Sequence, residues 1–124
     1  MKKILFICVE NSCRSQIAEA ITNSFFSDKF HAWSAGSAPS SEVNPKALKS
    51  LKELGIDHAG HPKPISDFFE LGFDYIISMG CGDACPVVDG AKKLEWNIPD
   101  PKDLSMQGFN KVRDLIYDQI RRLD

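Results

Sequence analysis

The sequence predicts an α/β fold: three layers, α/β/α, around an open four-stranded parallel sheet. Three observations point there. Short unbroken apolar runs, Ile4 to Ile7 above all, read as strands covered on both faces. Segments with apolar residues at helical spacing alternate with those runs. Turn-forming residues gather between the two. With 124 residues, 43% hydrophobic and 26% charged, residues 1–124 make one domain of ordinary size and composition.

Ile4, Leu5, Phe6 and Ile7 form the first strand, and polar residues 10–16 interrupt it. From about Ser15, Ile17, Ala18, Ile21 and Phe25 recur as one face of a helix. FHAWSAG, residues 30–36, is a second strand ending at Gly36, followed by the turn-rich SAPSSEV. Asn44-Pro45 starts a helix, with Asn44 as cap and Pro45 in the first turn. Its apolar face is Ala47, Leu48, Leu51 and Leu54, and Gly55 is its stop. A short helix is expected from Ser66 to Leu71, then a buried strand through Tyr75, Ile76, Ile77 and Met79. Lys93 to Trp96 reads as an edge strand, and IPDPKD leads into a last helix. There Phe109, Val112, Ile116, Ile120 and Leu123 stand 3, 4, 4 and 3 apart. In such a sheet, ligands bind beyond the carboxyl ends of the strands. Cys8 and Cys81 both fall at that edge.

Fifteen Lys and Arg against seventeen Asp and Glu leave a net charge of -2, which excludes the broad basic field of a nucleic-acid binder. The apolar run Ile4 to Val9 has six residues. A signal peptide needs roughly 7 to 15 and a membrane span far more, so a cytoplasmic protein without membrane contact is expected. Thiols are kept reduced there, and Cys8, Cys13, Cys81 and Cys85 read as catalytic, redox-active or metal-binding rather than as a disulfide framework. A zinc-holding module is one alternative, which Arg14 beside Cys8 and Cys13 opposes by repelling a cation.

The junction CVENSCRS, residues 8–15, carries the chemistry. A loop between a buried strand and a helix N-terminus gathers backbone N–H donors that suit a tetrahedral oxyanion. Val9, Glu10, Asn11, Ser12, Cys13, Arg14 and Ser15 are thus the candidate substrate-binding residues, with Arg14 supplying a planar donor fork. Cys8 at the base is the candidate nucleophile, and Ser15 can donate to its sulfur. Asn11 and Ser12 suit unusual dihedrals or a helix cap. Glu10, which would repel an anion, is expected to face solvent. Cys13 reads as a small packing residue. His31, His58 and His61 read as scattered surface histidines, Trp33 and Trp96 as core or pocket wall, and Arg121-Arg122 as complements of a helix C-terminus.

The run Cys8-Val9-Glu10-Asn11-Ser12-Cys13-Arg14-Ser15 resembles the active-site signature of the low-molecular-weight protein tyrosine phosphatase superfamily. SCRSQIAEA, WSAGS, VNPKAL, IISMGCGDACP and IPDP are similar to its arsenate reductase branch, and the likeness runs over nearly the whole chain. It implies a flavodoxin-like winding, reduction of arsenate to arsenite, and no bound cofactor. Phosphate and sulfate would be competing oxyanions. Asp100, before Pro101, matches the catalytic Asp that protonates a departing oxygen. Cys81 is implied as the thiol that attacks the Cys8 adduct, and Cys85 as the one that then frees Cys8.

On a regular helix, residues four apart have Cβ atoms about 5 to 6 Å apart, against about 3.8 Å for a disulfide, so a Cys81–Cys85 bond requires bending. Gly80, Gly82 and Pro86 permit it. Thioredoxin is the implied reductant of a monomeric enzyme, with a glutathione-, glutaredoxin- or mycothiol-type route as the alternative. Lys102 and Asp103 stand where the phosphatase branch has aromatic residues, which favours a small inorganic oxyanion over an aryl phosphate. Hydrolysis of phosphate monoesters remains the alternative activity. Some members bind potassium near the loop; Asn11, Glu19 and Ser34 match that set, but its last two members fall in HPKP, where Lys63 brings its own ammonium. No metal is expected.

Overall fold

A computed structural model describes residues 1–68, 72–80 and 91–123. Four strands, β1 (Lys2–Cys8), β2 (Phe30–Gly36), β3 (Tyr75–Ser78) and β4 (Lys92–Glu95), form one sheet in the order β2-β1-β3-β4. Every pairing is parallel. Cys8 is level with Gly36 on one side, and Ile7 with Ser78 on the other. The helices are α1 (Arg14–Phe25), α2 (Pro45–Lys52) and α3 (Met106–Arg121), with a 3-10 turn at Ile65–Phe68.

Alternation along β1 divides the core in two. Ile4, Phe6 and Cys8 join Ile17 and Ile21 of α1, Ala47 and Leu51 of α2 and Phe109, Val112, Ile116 and Ile120 of α3 in the larger cluster. Leu5 and Ile7 turn the other way, onto Ile65, Phe68, Phe73 and Ile76. Among the described residues, the three helices therefore cover one face and the 3-10 turn lies on the other. β1 sits inside the sheet with both faces buried, which is why its sequence is continuously apolar.

The start of α2 is as expected: Asn44 Oδ1 accepts from the Lys46 N–H at 2.9 Å, with Pro45 in the first turn. Gly55 takes a φ of 81° just beyond its end. The helix expected from Ser66 to Leu71 is corrected to a single 3-10 turn, and residues 69–71 lie outside the described ones. Ile65 and Phe68 are drawn into the core beside Phe73 and Ile76, and the backbone between them closes as i to i+3 turns rather than α-helix. No described helix is long and apolar enough to cross a membrane.

Candidate active site

Cys8 ends β1 at the carboxyl edge of the sheet and is 3% exposed. The loop that follows has its carbonyls tied outward. Ser37 N–H donates to the Cys8 carbonyl at 3.2 Å, Ala38 N–H to Val9 at 2.8 Å, Ser40 N–H to Glu10 at 3.0 Å and Asn44 N–H to Ser12 at 3.0 Å. In a trans peptide the next N–H points opposite to its carbonyl. The N–H groups of Val9, Glu10, Asn11 and Cys13 are thus turned to the inside of the loop. Among the described residues, none of them donates to a protein acceptor. Asn11, fully buried, makes the curl possible with a φ of 52°. Cys13 occupies the N-cap position of α1 without a side-chain cap bond. The first N–H groups of the helix are therefore left for an anion.

Around this cradle stand three groups that bear on reactivity. Ser15 Oγ lies 2.8 Å from Cys8 Sγ, within hydrogen-bond reach. Arg14, buried, donates from Nη1 to the Ile98 carbonyl at 3.0 Å, and its Nη2 is 3.7 Å from Asp100 Oδ2. Asp100 accepts the Lys102 N–H on Oδ1 at 3.0 Å, a local turn that fixes its carboxyl at the mouth. Cys8, Val9, Glu10, Ser12, Cys13, Arg14, Asp100 and Lys102 together line a cavity of about 20 Å³. Pockets for drug-sized molecules run to several hundred Å³, so this one suits a small ion. A larger open groove of about 890 Å³ runs along α2 and Met106 but holds no nucleophile.

The family model for low molecular weight phosphotyrosine protein phosphatase matches residues 3–124. The chain belongs to that family. Within it, the chain is similar to arsenate reductase 2 of Staphylococcus saprophyticus, at 37% identity over 98% of this chain and 95% of the relative. It is 35% identical to the glutaredoxin arsenate reductase of Synechocystis, over 99% and 96%. Among solved structures, a thioredoxin-dependent arsenate reductase of Corynebacterium glutamicum superposes with a TM-score of 0.84 and 37% identity. That likeness covers 99% of this chain and 60% of the longer one.

Several residues of this phosphatase-family chain differ from expectation. Glu10 does not simply face solvent. Both its carboxylate oxygens take the Lys102 ammonium, at 2.9 and 3.0 Å, and the bond pushes the Lys102 pKa up. Lys102 thereby offsets the charge that would repel an oxyanion, a role hidden in the sequence because the partners are ninety-two residues apart. His58 is half-buried and bonded to Gln16 rather than free at the surface. Burial, opposed by Glu19 and reinforced by Lys63, lowers its pKa.

Gly80 was invisible as a site residue. Its φ is 85°, and a Cβ added there would lie 2.5 Å from Arg14 Nη1, so the glycine lets the end of β3 close on the guanidinium. Cys81 follows directly in the sequence; Cys81 and Cys85 themselves lie outside the described residues.

Cys13 is buried, and burial pushes its pKa up to about 11, with Asp100, Cys8 and Glu10 adding to that and Ser12 opposing it. Held as a thiol, it should resist iodoacetamide at pH 8 while Cys8 reacts, as peptide mapping of the labelled protein would reveal. Labelling of Cys13 as fast as Cys8 would contradict its packing role.

The residues that match the potassium set by position, Asn11, Glu19 and Ser34, are engaged with other protein groups. Ser34 Oγ donates to Glu19 Oε1 at 2.8 Å, and Lys63 Nζ stands 4.0 Å from that same oxygen. The ammonium already balances Glu19, and Asn11 Oδ1 is taken by the N–H of Lys63 at 2.9 Å. Among the described residues no group of three or more His, Cys, Asp or Glu is placed to hold a metal.

Proposed function

We propose that this chain reduces arsenate to arsenite as a cytoplasmic monomer, with a thioredoxin-type dithiol as the external reductant. The observation that carries the reading is the thiol of Cys8 at the floor of a loop whose Cys8, Val9, Glu10 and Ser12 carbonyls are tied outward, so that the N–H donors next to them face an incoming oxyanion. Arsenate reductases stand at similar identity among the relatives, under both thioredoxin and glutaredoxin names.

Cys8 sulfur attacks arsenic(V), and one arsenate oxygen leaves as water after Asp100 supplies a proton. Arg14 and the loop N–H groups hold the remaining oxygens. Cys81 thiolate then attacks the sulfur of Cys8. The S–As bond breaks with its electron pair going to arsenic, arsenite departs, and a Cys8–Cys81 disulfide forms. Cys85 attacks Cys81, frees Cys8 as a thiolate and leaves a Cys81–Cys85 disulfide for the reductant. No bound cofactor is needed, because the thiols carry both electrons. Phosphate and sulfate have the right shape to compete for the cradle.

The test is arsenate-dependent oxidation of NADPH through thioredoxin and its reductase, run beside hydrolysis of an aryl phosphate. Turnover in the first, inhibited competitively by phosphate, is the expected result. Hydrolysis of the ester with no arsenate turnover, whether thioredoxin or glutaredoxin with glutathione is supplied, would make the chain a phosphatase instead.

A further inference from the structure

Behind the cradle a chain of buried hydrogen bonds runs from a surface loop to the nucleophile. His58 Nε2 lies 2.6 Å from Gln16 Oε1; Gln16 Nε2 is 3.1 Å from Asn11 Oδ1; Asn11 Nδ2 is 2.7 Å from Ser15 Oγ; and Ser15 Oγ is 2.8 Å from Cys8 Sγ. Gln16, Asn11 and Ser15 are fully buried. Two backbone groups reveal the direction of every link. The Lys63 N–H must donate, at 2.9 Å, so the Asn11 atom it meets is the oxygen. The His61 carbonyl must accept, at 3.0 Å, so the Gln16 atom it meets is the nitrogen. Gln16 Oε1 is then the atom left for His58, whose Nε2 must carry a hydrogen. Asn11 Nδ2 likewise must donate to Ser15, which leaves the Ser15 hydroxyl proton for Cys8 Sγ.

We propose that His58 and Gln16 are positioning residues for Cys8: they hold the Asn11 carboxamide in the orientation that directs the Ser15 hydroxyl proton onto the Cys8 sulfur. Gly60 gives the arrangement independent support. A Cβ added there would land on His58 Nε2 and Gln16 Oε1, so the contact requires a glycine at that place. The device is not a pH switch, since Nε2 keeps its hydrogen in the neutral ring and in the imidazolium. The charges facing His58 are Glu19 and Lys63, with Lys52 and Asp57 nearby but paired to each other at 2.9 Å. Those facing Cys8 are Arg14, Glu10, Asp100 and Lys102, beside the thiol of Cys13. Loosening one buried hydrogen bond of the chain should slow the reaction of Cys8 with an electrophile by a few-fold up to about tenfold.

The inference rests on Cys8 being the nucleophile but not on arsenate being the substrate. The experiment is the pH profile of iodoacetamide alkylation at Cys8 in the reduced full-length protein, followed by peptide mass, with thermal melting alongside. His58→Ala and Gly60→Ala should each lower the rate at pH 7 about three- to tenfold and regain the parent rate at higher pH. His58→Gln, which restores an N–H donor, should stay within about twofold of the parent. An unmoved profile in either alanine variant that remains folded overturns the proposal, as does a His58→Gln profile displaced as far as that of His58→Ala. Because alkylation needs no arsenate, a chain inactive toward arsenate would leave this result intact.

Discussion

Cys8→Ser is expected to abolish both arsenate-dependent NADPH oxidation and aryl phosphate hydrolysis, whereas Cys81→Ser is expected to abolish only the first. A serine hydroxyl at the floor of the cradle is a far weaker nucleophile at neutral pH and cannot hand an electron pair to arsenic, so the loss should be at least about a thousandfold. Cys81→Ser leaves the cradle, Arg14 and Asp100 in place. Displacement at Cys8 should still occur, and any residual ester hydrolysis should stay within about twofold of the parent, since water completes that cycle. Steady-state rates in the two assays check this directly. A Cys81→Ser protein that reduced arsenate as well as the parent would rule out the relay, while dispensability of Cys85 alone would direct attention to a low-molecular-weight thiol as reductant.

The second large effect belongs to Arg14. Its guanidinium donates to the Ile98 carbonyl at 3.0 Å and reaches toward Asp100 at 3.7 Å, so it joins the cradle to the loop that carries the acid. Lysine keeps the charge but has no fork with which to do both. Arg14→Lys should lower kcat/KM for arsenate by about a hundred- to a thousandfold, the usual range for removing a donor aimed at developing charge. Gly80→Ala tests the same group from outside. Its Cβ would displace Nη1, and the φ of 85° disfavours alanine, so a loss of about tenfold or more should appear with Arg14 itself unaltered. Arg14→Lys within threefold of the parent in kcat/KM would remove the guanidinium from the mechanism.

What the sequence reveals of this molecule, and what it hides, divides along the distance between partners. The strand, loop and helix from Ile4 to Phe25 are legible because apolar run, turn residues and helical period follow one another directly. Asn44-Pro45 signals α2 for the same reason. Ser15 could be paired with Cys8 because the loop geometry brings residues seven apart together. By contrast, Lys102 and Glu10 meet only because the sheet edge brings distant loops side by side, and neither residue carries a local mark of the other. His58 looks like one polar residue among several in HAGHPKP, and its bond to Gln16 spans forty-two positions. The short helix at Ser66 failed because a turn next to Pro64 is held by tertiary packing of Ile65 and Phe68, which helical spacing cannot report.

The placement of β1 inside the sheet has a further consequence, for how the protein comes to exist. Ile4 pairs with Tyr75 some seventy residues later, so β1 becomes an interior strand only when both its neighbours are in place. Contacts so remote in the chain close late in folding, and a ribosome delivers β3 long after β1. The nascent chain therefore carries Cys8 without its cradle for most of its synthesis, and the site arrives as a property of the finished sheet.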